Sequence, residues 1–345
     1  MLNFKDSTLQ QLIVHHVGNK SDEEGIKTSK SETKVDDDIK TLLNRYFLKP
    51  FKPDTFYQFD HSSDISLNEI YSYASSIFND PDSLYLQSIH IAKHLYDCST
   101  HPMIKSGELY VCFFEECIIE DEICDAIGIF KSENKETYLK VYPDKGDYAI
   151  EKQEGININK LDKGCLIFNT EKEDGYKVAI IDATNTKGDE AQYWKDDFLN
   201  LKPCENTFYH TKNYINLCKE FVEDTFSEAA KVDQLEIINN SVEYFNSNDQ
   251  FNIREFEEKV MQAPEIISSF EEYKEQYAEE KKVPVFDEFD ISAPAVKHSK
   301  KGIRSVIKLD KNFHVYVHGN SDKIQKGYDE KSQQHFYTLF FNEES

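Results

Sequence analysis

Residue types that could do chemistry occur in several places along the chain, and few of them have the spacing chemistry needs. Glu133-Asn134-Lys135, with Asp182 at the end of an apolar run, has the composition of a metal-dependent nuclease. There, carboxylates would hold a divalent cation and an ammonium would face the phosphate. Such triplets arise by chance in a Lys/Glu-rich chain, and Glu133 falls in a predicted turn. Cys112, Cys117 and Cys124 lack the two-residue spacing of a zinc site and read as small buried apolar side chains. His314 and His318 share one strand face, but at about 3.3 Å per residue they stand about 13 Å apart, too far for one metal. His15 and His16 point to opposite faces, one imidazole to the core and one to the surface. Trp194 reads as a core anchor rather than a base-stacking ring. There is no His-Glu-x-x-His, and 12 Gly leave little room for a phosphate-cradling loop. No catalytic residue, cofactor site or metal ligand is therefore assigned.

Charge offers a different chemistry. The chain of 345 residues carries 40 Lys+Arg against 64 Asp+Glu, net −24. Residues 213–290 hold 7 basic and 20 acidic side chains, net −13. Just beyond them, Lys297, Lys300, Lys301, Arg304, Lys308, Lys311, Lys323 and Lys326 face only Asp310 and Asp322, net +6 over 296–326. This basic island could meet phosphate, dock on the acidic helices of its own chain or a partner, or simply be a solvated face. Eight phosphate contacts would lose about 10³ or more in affinity between 50 and 200 mM salt. Overall acidity does not forbid this, because the Debye length is about 8 Å and a chain this size has a radius of gyration of about 20 Å. Arg45, Arg254 and Arg304 are the only arginines, so sequence reading through bidentate Arg is poorly served. Weak, sequence-tolerant Lys contact fits better.

The elements that must position these residues follow from period and punctuation. Leu12–Val17 is a β-branched run closed by Gly18-Asn19, with Lys20–Asp38 a polar hairpin return and mobile loop. Ile39, Leu42, Leu43, Tyr46 and Phe47 have helical spacing. A second helix starts at Ser83, capped by Ser83 or Asp82, with Leu84, Ile91 and Leu95 inward. Leu109–Ile119, Glu122–Lys131 and Thr137–Tyr142 read as three consecutive meander strands, and Cys165–Thr170 and Tyr176–Asp182 as two more joined through Asp174-Gly175. Helical stripes follow at Tyr214, Leu217, Cys218, Phe221 and Val222, then at Leu235, Ile238, Val242 and Phe245. A third, at Ile266, Phe270, Tyr273 and Tyr277, starts behind Pro264. Strands return at Ile303–Leu309, Phe313–Val317 and His335–Phe341, with Asp310-Lys311-Asn312 as a turn. The fold class is α+β: an N-terminal mixed domain over 1–212 with an antiparallel meander sheet, then 213–345, an acidic helical segment with a small C-terminal β region.

Composition bounds the rest. The 24 Phe and 20 Tyr supply a large core, which excludes wholesale disorder. No run approaches about 18 apolar residues, so no transmembrane helix is expected. Met1–Val17 has no basic segment leading into an apolar run, which speaks against a secretory signal. Seven scattered Cys point to a reducing cytoplasm rather than a disulfide framework. The amphipathic helices could close on their own domain or across the two-fold axis of a homodimer.

Several blocks carry a family resemblance. They are Leu12-Ile13-Val14-His15-His16-Val17-Gly18-Asn19, Gly107-Glu108-Leu109-Tyr110-Val111 and Ile127-Gly128-Ile129-Phe130-Lys131. Next come Asn159-Lys160-Leu161-Asp162-Lys163-Gly164-Cys165-Leu166-Ile167-Phe168-Asn169, Asp182-Ala183 and Tyr193-Trp194-Lys195-Asp196-Asp197-Phe198-Leu199. The last are Val317-His318-Gly319-Asn320 and Lys326-Gly327-Tyr328-Asp329-Glu330. In order and over nearly the whole chain, this resembles the bacterial nucleoid-associated proteins of the YejK/NdpA type, in the version of Bacteroidetes-like bacteria. The resemblance implies a cytoplasmic, nucleoid-located protein without catalytic residues or cofactor, and supplies no DNA-contacting residues.

The expected function is thus a non-enzymatic nucleoid-associated protein that binds DNA weakly and without sequence specificity through the eight cations of the island. Its partners are DNA, directly or indirectly, and other nucleoid proteins, with no membrane. The alternative is an acidic adaptor that joins the nucleoid through proteins. The third reading is a metal-dependent nuclease using Glu133 and Asp182.

Overall fold

The computed structural model describes residues 2–52, 55–119, 122–183, 193–227, 231–281, 283–302, 306–309, 312–316 and 323–343. The chain forms two compact units, Met1–Cys204 and Glu205–Ser345. Helices and antiparallel sheets occur in both, so the fold is α+β.

The first unit runs β1 (Leu2–Asn3), β2 (Thr8–Val17), β3 (Ile26–Lys27), α1 (Asp37–Leu48), β4 (Tyr57–Phe59), α2 (Glu69–Asn79), α3 (Leu84–Cys98), β5 (Gly107–Ile119) and β6 (Glu122–Ser132). It continues with β7 (Glu136–Asp144), β8 (Asp147–Gly155), β9 (Lys163–Phe168), β10 (Lys177–Asp182) and β11 (Leu201–Pro203). Nine strands form one antiparallel sheet in the order β11-β4-β10-β9-β6-β5-β2-β3, with β1 beside β5. Alternation sorts the side chains onto two faces. Leu109, Val111, Phe113, Ile127, Ile129 and Ile167 pack under α2, α3 and Trp194. Tyr110, Cys112, Phe114, Phe130, Leu166 and Phe168 pack under the end of α1. Phe47 of α1 stacks on Phe130 with centroids 4.2 Å apart. Burial on both faces explains why the central strands are near-continuous apolar runs.

Several expectations change. Thr137–Tyr142 is a strand, but not the third of the sheet: β7 pairs with β8 as a separate two-stranded hairpin, and β9 takes the place beside β6. A position covered on both faces needs the apolar run Gly164–Phe168, whereas β7 spends half its length on charged and hydroxyl side chains. The stripe of α1 is only half used: Ile39 and Leu42 are exposed, and Tyr46, Phe47 and Leu48 at the last turn are buried. Ser83 does not cap α3 through its side chain, since a 3₁₀ turn over Pro81–Ser83 precedes it and Asp80 caps that turn instead. Helix α2 is not among the expected elements, although Asn68 caps it and Ile70, Tyr71, Ala74 and Ile77 have the spacing. The hairpin return after β2 is present as β3. Between β9 and β10, Gly175 sits at φ +106, and a Cβ there would stand 2.5 Å from the Phe59 carbonyl oxygen. Only glycine fits that approach.

His15 lies in the core as expected, and His16 is half-buried. The Ser29 amide donates to His15 Nδ1 at 3.1 Å, so the ring proton sits on Nε2 and is donated to Ser88 Oγ at 2.9 Å. Burial lowers the His15 pKa below its ordinary 6.5. Below pH 6.5 the unfolded chain therefore takes up the proton more readily than the folded one, and stability falls with pH. Melting temperatures at about pH 7.5 and pH 5 should differ more for the native chain than for His15→Gln.

The second unit contains α4 (Thr207–Thr225), α5 (Lys231–Ser247), β12 (Gln250–Asn252), α6 (Ile253–Phe256), α7 (Pro264–Lys281), β13 (Glu288–Asp290) and α8 (Ala293–Gly302). Two hairpins follow, β14 (Val306–Leu309) with β15 (Phe313–Tyr316), and β16 (Ile324–Asp329) with β17 (Gln334–Leu339). The core is a cluster of rings. Tyr214 lies 4.1 Å from Phe251, and Phe251 lies 4.8 Å from Phe289. The expected stripes of α4 and α7 point into it through Leu217, Phe221, Phe270 and Tyr277. Among the described residues no helix is long and apolar enough to cross a membrane.

Candidate nucleic-acid interface

The basic island is distributed over three elements. Helix α8 forms because Ser292 caps it, its Oγ accepting from the Ala295 amide at 3.4 Å, and because Ala295 and Val296 are buried. It packs on α4 and α5. Lys297 and Lys300, one turn apart, are exposed. Lys301 also belongs to α8. Lys308 stands on β14 opposite His314. Lys323 and Lys326 are exposed, Lys326 on β16 opposite Tyr337. Strand β16 lies against α5, so α5 supports both α8 and the last hairpin. Arg304 and Lys311 lie outside the described residues, as do Val317 and His318.

The partners of these cations bear on the alternatives. Lys300 Nζ donates to the Asn246 side-chain oxygen at 2.8 Å, an amide and not a carboxylate. Among the described residues, Lys297, Lys323 and Lys326 form no ion pair with an acidic side chain. The acidic helices meanwhile pair with their own lysines: Lys274 with Asp287 at 2.7 Å and Lys281 with Glu220 at 3.1 Å. Helix α8 thus lies on the acidic helices and Lys300 reaches α5 through an amide, while among the described residues Lys297, Lys323 and Lys326 are not paired with their carboxylates.

The nuclease-like triplet diverges. Glu133 accepts from Lys131 Nζ at 3.0 Å and from the Tyr193 hydroxyl at 3.2 Å. The Asn134 side chain donates to Asp162 at 2.9 Å, and Lys135 pairs with Glu108 at 2.7 Å. Asp182 pairs with Lys163 at 2.7 Å. Lys131 and Lys163 are both fully buried and opposite each other on β6 and β9, their ammonium groups 5.8 and 5.1 Å from the Tyr193 ring centre. Burial lowers the Lys131 pKa and the Glu133 carboxylate opposes that shift. Burial, then the Glu133 charge, pushes the Tyr193 hydroxyl well up. What the cluster does is satisfy two ammonium groups inside a core.

This buried network was not expected from the sequence. A signal existed: Lys131 continues the inward phase of Ile127 and Ile129, and Lys163 precedes a continuous apolar run. Trp194 is fully buried under the sheet, a core anchor as expected. Cys112 and Cys117 are buried, and Cys124 is half-buried opposite Cys117.

The blocks that carry the resemblance map onto β2, β5, β6, β9, the end of β10, the turn around Trp194 and β16, and Val317-His318-Gly319-Asn320 lies outside the described residues. A family model for the nucleoid-associated protein YejK matches residues 13–335. The chain belongs to this family. The match spans both units and confirms the resemblance. Among curated proteins no significant match was found. Membership of the YejK family makes the chain a nucleoid-associated protein, and it connects the chain with DNA and the nucleoid rather than with a known enzymatic activity.

Proposed function

We propose that this YejK-family chain is non-enzymatic, works in the cytoplasm at the nucleoid, and touches DNA weakly and without sequence preference. Its contacts would be Lys297, Lys300, Lys301, Arg304, Lys308, Lys311, Lys323 and Lys326. The observation that carries this reading is the state of the described lysines. In a chain of net charge −24, Lys297, Lys323 and Lys326 are exposed and, among the described residues, have no carboxylate partner. An ammonium held in solvent beside acidic helices but not on them is available to phosphate, where each contact releases a counterion. Three arginines in the whole chain leave little for reading guanine edges, so sequence preference is not part of the proposal.

A second reading has its own observation. Helix α7 buries only Phe270 and Tyr277 and shows solvent a run of glutamates that includes Glu271, Glu272, Glu279 and Glu280. Such a face could hold basic nucleoid proteins and join DNA through them.

Fluorescence anisotropy of nucleic-acid-free protein on labelled duplex separates the two. Direct contact predicts that log K falls linearly with log salt, with a slope of about −0.9 per phosphate engaged and at most about −7 for eight cations. Absence of duplex binding at low salt would remove the direct reading. Recovery of nucleoid proteins with the chain from nuclease-treated extract would then support the adaptor.

A further inference from the structure

The last hairpin carries aromatic rings that folding does not use. Register places Lys326 and Tyr328 of β16 on the same face as Tyr337 and His335 of β17. Tyr328 is 52% exposed, His335 is exposed, and their rings lie 4.9 Å apart at 54°. Lys326 stands directly opposite Tyr337, one pleat repeat from Tyr328. Beyond the strand end, the Phe340 amide donates to the Lys323 carbonyl at 2.8 Å, which holds exposed Phe340 beside exposed Lys323. The nearby acid Asp329 is occupied in the turn, accepting from the Lys331 amide at 3.0 Å and the Ser332 hydroxyl at 2.8 Å.

Rings and cations thus alternate along one hairpin. The β7–β8 hairpin exposes rings too, but with a different balance of charge. Its exposed side chains include Tyr138, Tyr142 and Tyr148 as well as the aliphatic Leu139, Val141 and Ile150, and over 136–155 acids outnumber bases five to three. What sets β16–β17 apart is its charge balance: Lys323, Lys326 and Lys331 against Asp329 and Glu330 over 323–339. Contact with a duplex backbone needs ammonium groups and gains nothing from exposed rings, because paired bases are stacked on one another. Unpaired bases gain from an aromatic face, whatever their identity, with cations along the strand.

We infer that the β16–β17 hairpin binds single-stranded nucleic acid, stacking unpaired bases on Tyr328 and His335 while Lys326 and Lys323 meet the flanking phosphates. This rests on the proposed nucleic-acid contact and names the form of ligand the site prefers.

The test compares the full chain and its variants on labelled oligo-dT, oligo-U and duplex DNA, each about 15 units long, by anisotropy at fixed salt. The native chain should bind the single strands more tightly than the duplex. Tyr328→Leu with His335→Leu should lose about tenfold or more on single strands while duplex binding stays within about twofold. Tyr328→Phe, which keeps the ring, should retain single-strand binding, and that comparison removes loss of folding as the cause. Single-strand binding unaffected by the double leucine variant, or a native preference for duplex, would overturn this inference while leaving direct DNA contact standing. Failure of the native chain to bind either form at low salt would overturn direct contact itself.

Discussion

Reversal of Lys297, Lys300, Lys323 and Lys326 to glutamate should eliminate measurable duplex binding near physiological salt. These are the four island cations whose side chains are seen exposed. If all eight island cations engage phosphate, removing four takes about 4 × 0.9 from the salt slope, and the added anions repel the backbone as well. The net charge moves from −24 to −32. Affinity should fall by about 10³ or more at low salt, beyond the range of a normal titration. A Lys→Gln version of the same set separates lost contact from added repulsion: it should reduce the slope by a similar amount with a smaller loss of affinity. The substitutions sit on exposed positions of α8 and the last hairpin, so the melting temperature should hardly move. Unchanged binding in the reversed chain would show that the island is not the contact, and attention would turn to the glutamate face of α7.

The second large effect concerns folding of the first unit. Glu133→Ala leaves the Lys131 ammonium buried with the Lys105 carbonyl at 2.7 Å as its remaining close acceptor, and deprives the Tyr193 hydroxyl of its acceptor. Breaking one partner of a buried pair costs about 3–5 kcal/mol. Urea unfolding should register this as a lower midpoint at constant m. Lys131→Met combined with Glu133→Leu removes both charges and keeps the volume, and should recover most of the loss. If the single and double variants are equally destabilised, the pair is not the unit that matters. Divalent-metal-dependent DNA cleavage by the native chain that is lost in Glu133→Ala and also in the restabilised Lys131→Met with Glu133→Leu variant would restore the nuclease reading.

Local patterns were legible where one physical constraint acts on a short stretch. The stripes Tyr214–Val222 and Ile266–Tyr277 became helices because a 3.6 period with one apolar side has few other solutions. Strands β5, β6, β9 and β10 were legible for the same reason, being long β-branched and aromatic runs. Helix α2 was equally readable from Asn68 and the spacing of Ile70, Ala74 and Ile77. The turn chemistry at Gly175 and the core place of Trp194 also follow from residue type.

Tertiary structure decided everything that depends on which surfaces meet. The order in which strands pair is not written in any one strand, so β7 had the right period and the wrong neighbour. Burial of Lys131 and Lys163 depends on two strands placing them opposite each other and on Tyr193 arriving from a distant turn, because an ammonium enters a core only where a carboxylate already waits. For the basic island, composition along the chain determined that cations cluster in 296–326 and that the helices before them are acidic. Whether those two charges embrace was left open, since the attraction between them falls within a Debye length and depends on distances no sequence records. The fold decides it residue by residue: α8 packs on α4 and α5 with Val296 in their core and Lys300 bonded to Asn246, while Lys297, Lys323 and Lys326 are exposed and form no ion pair among the described residues.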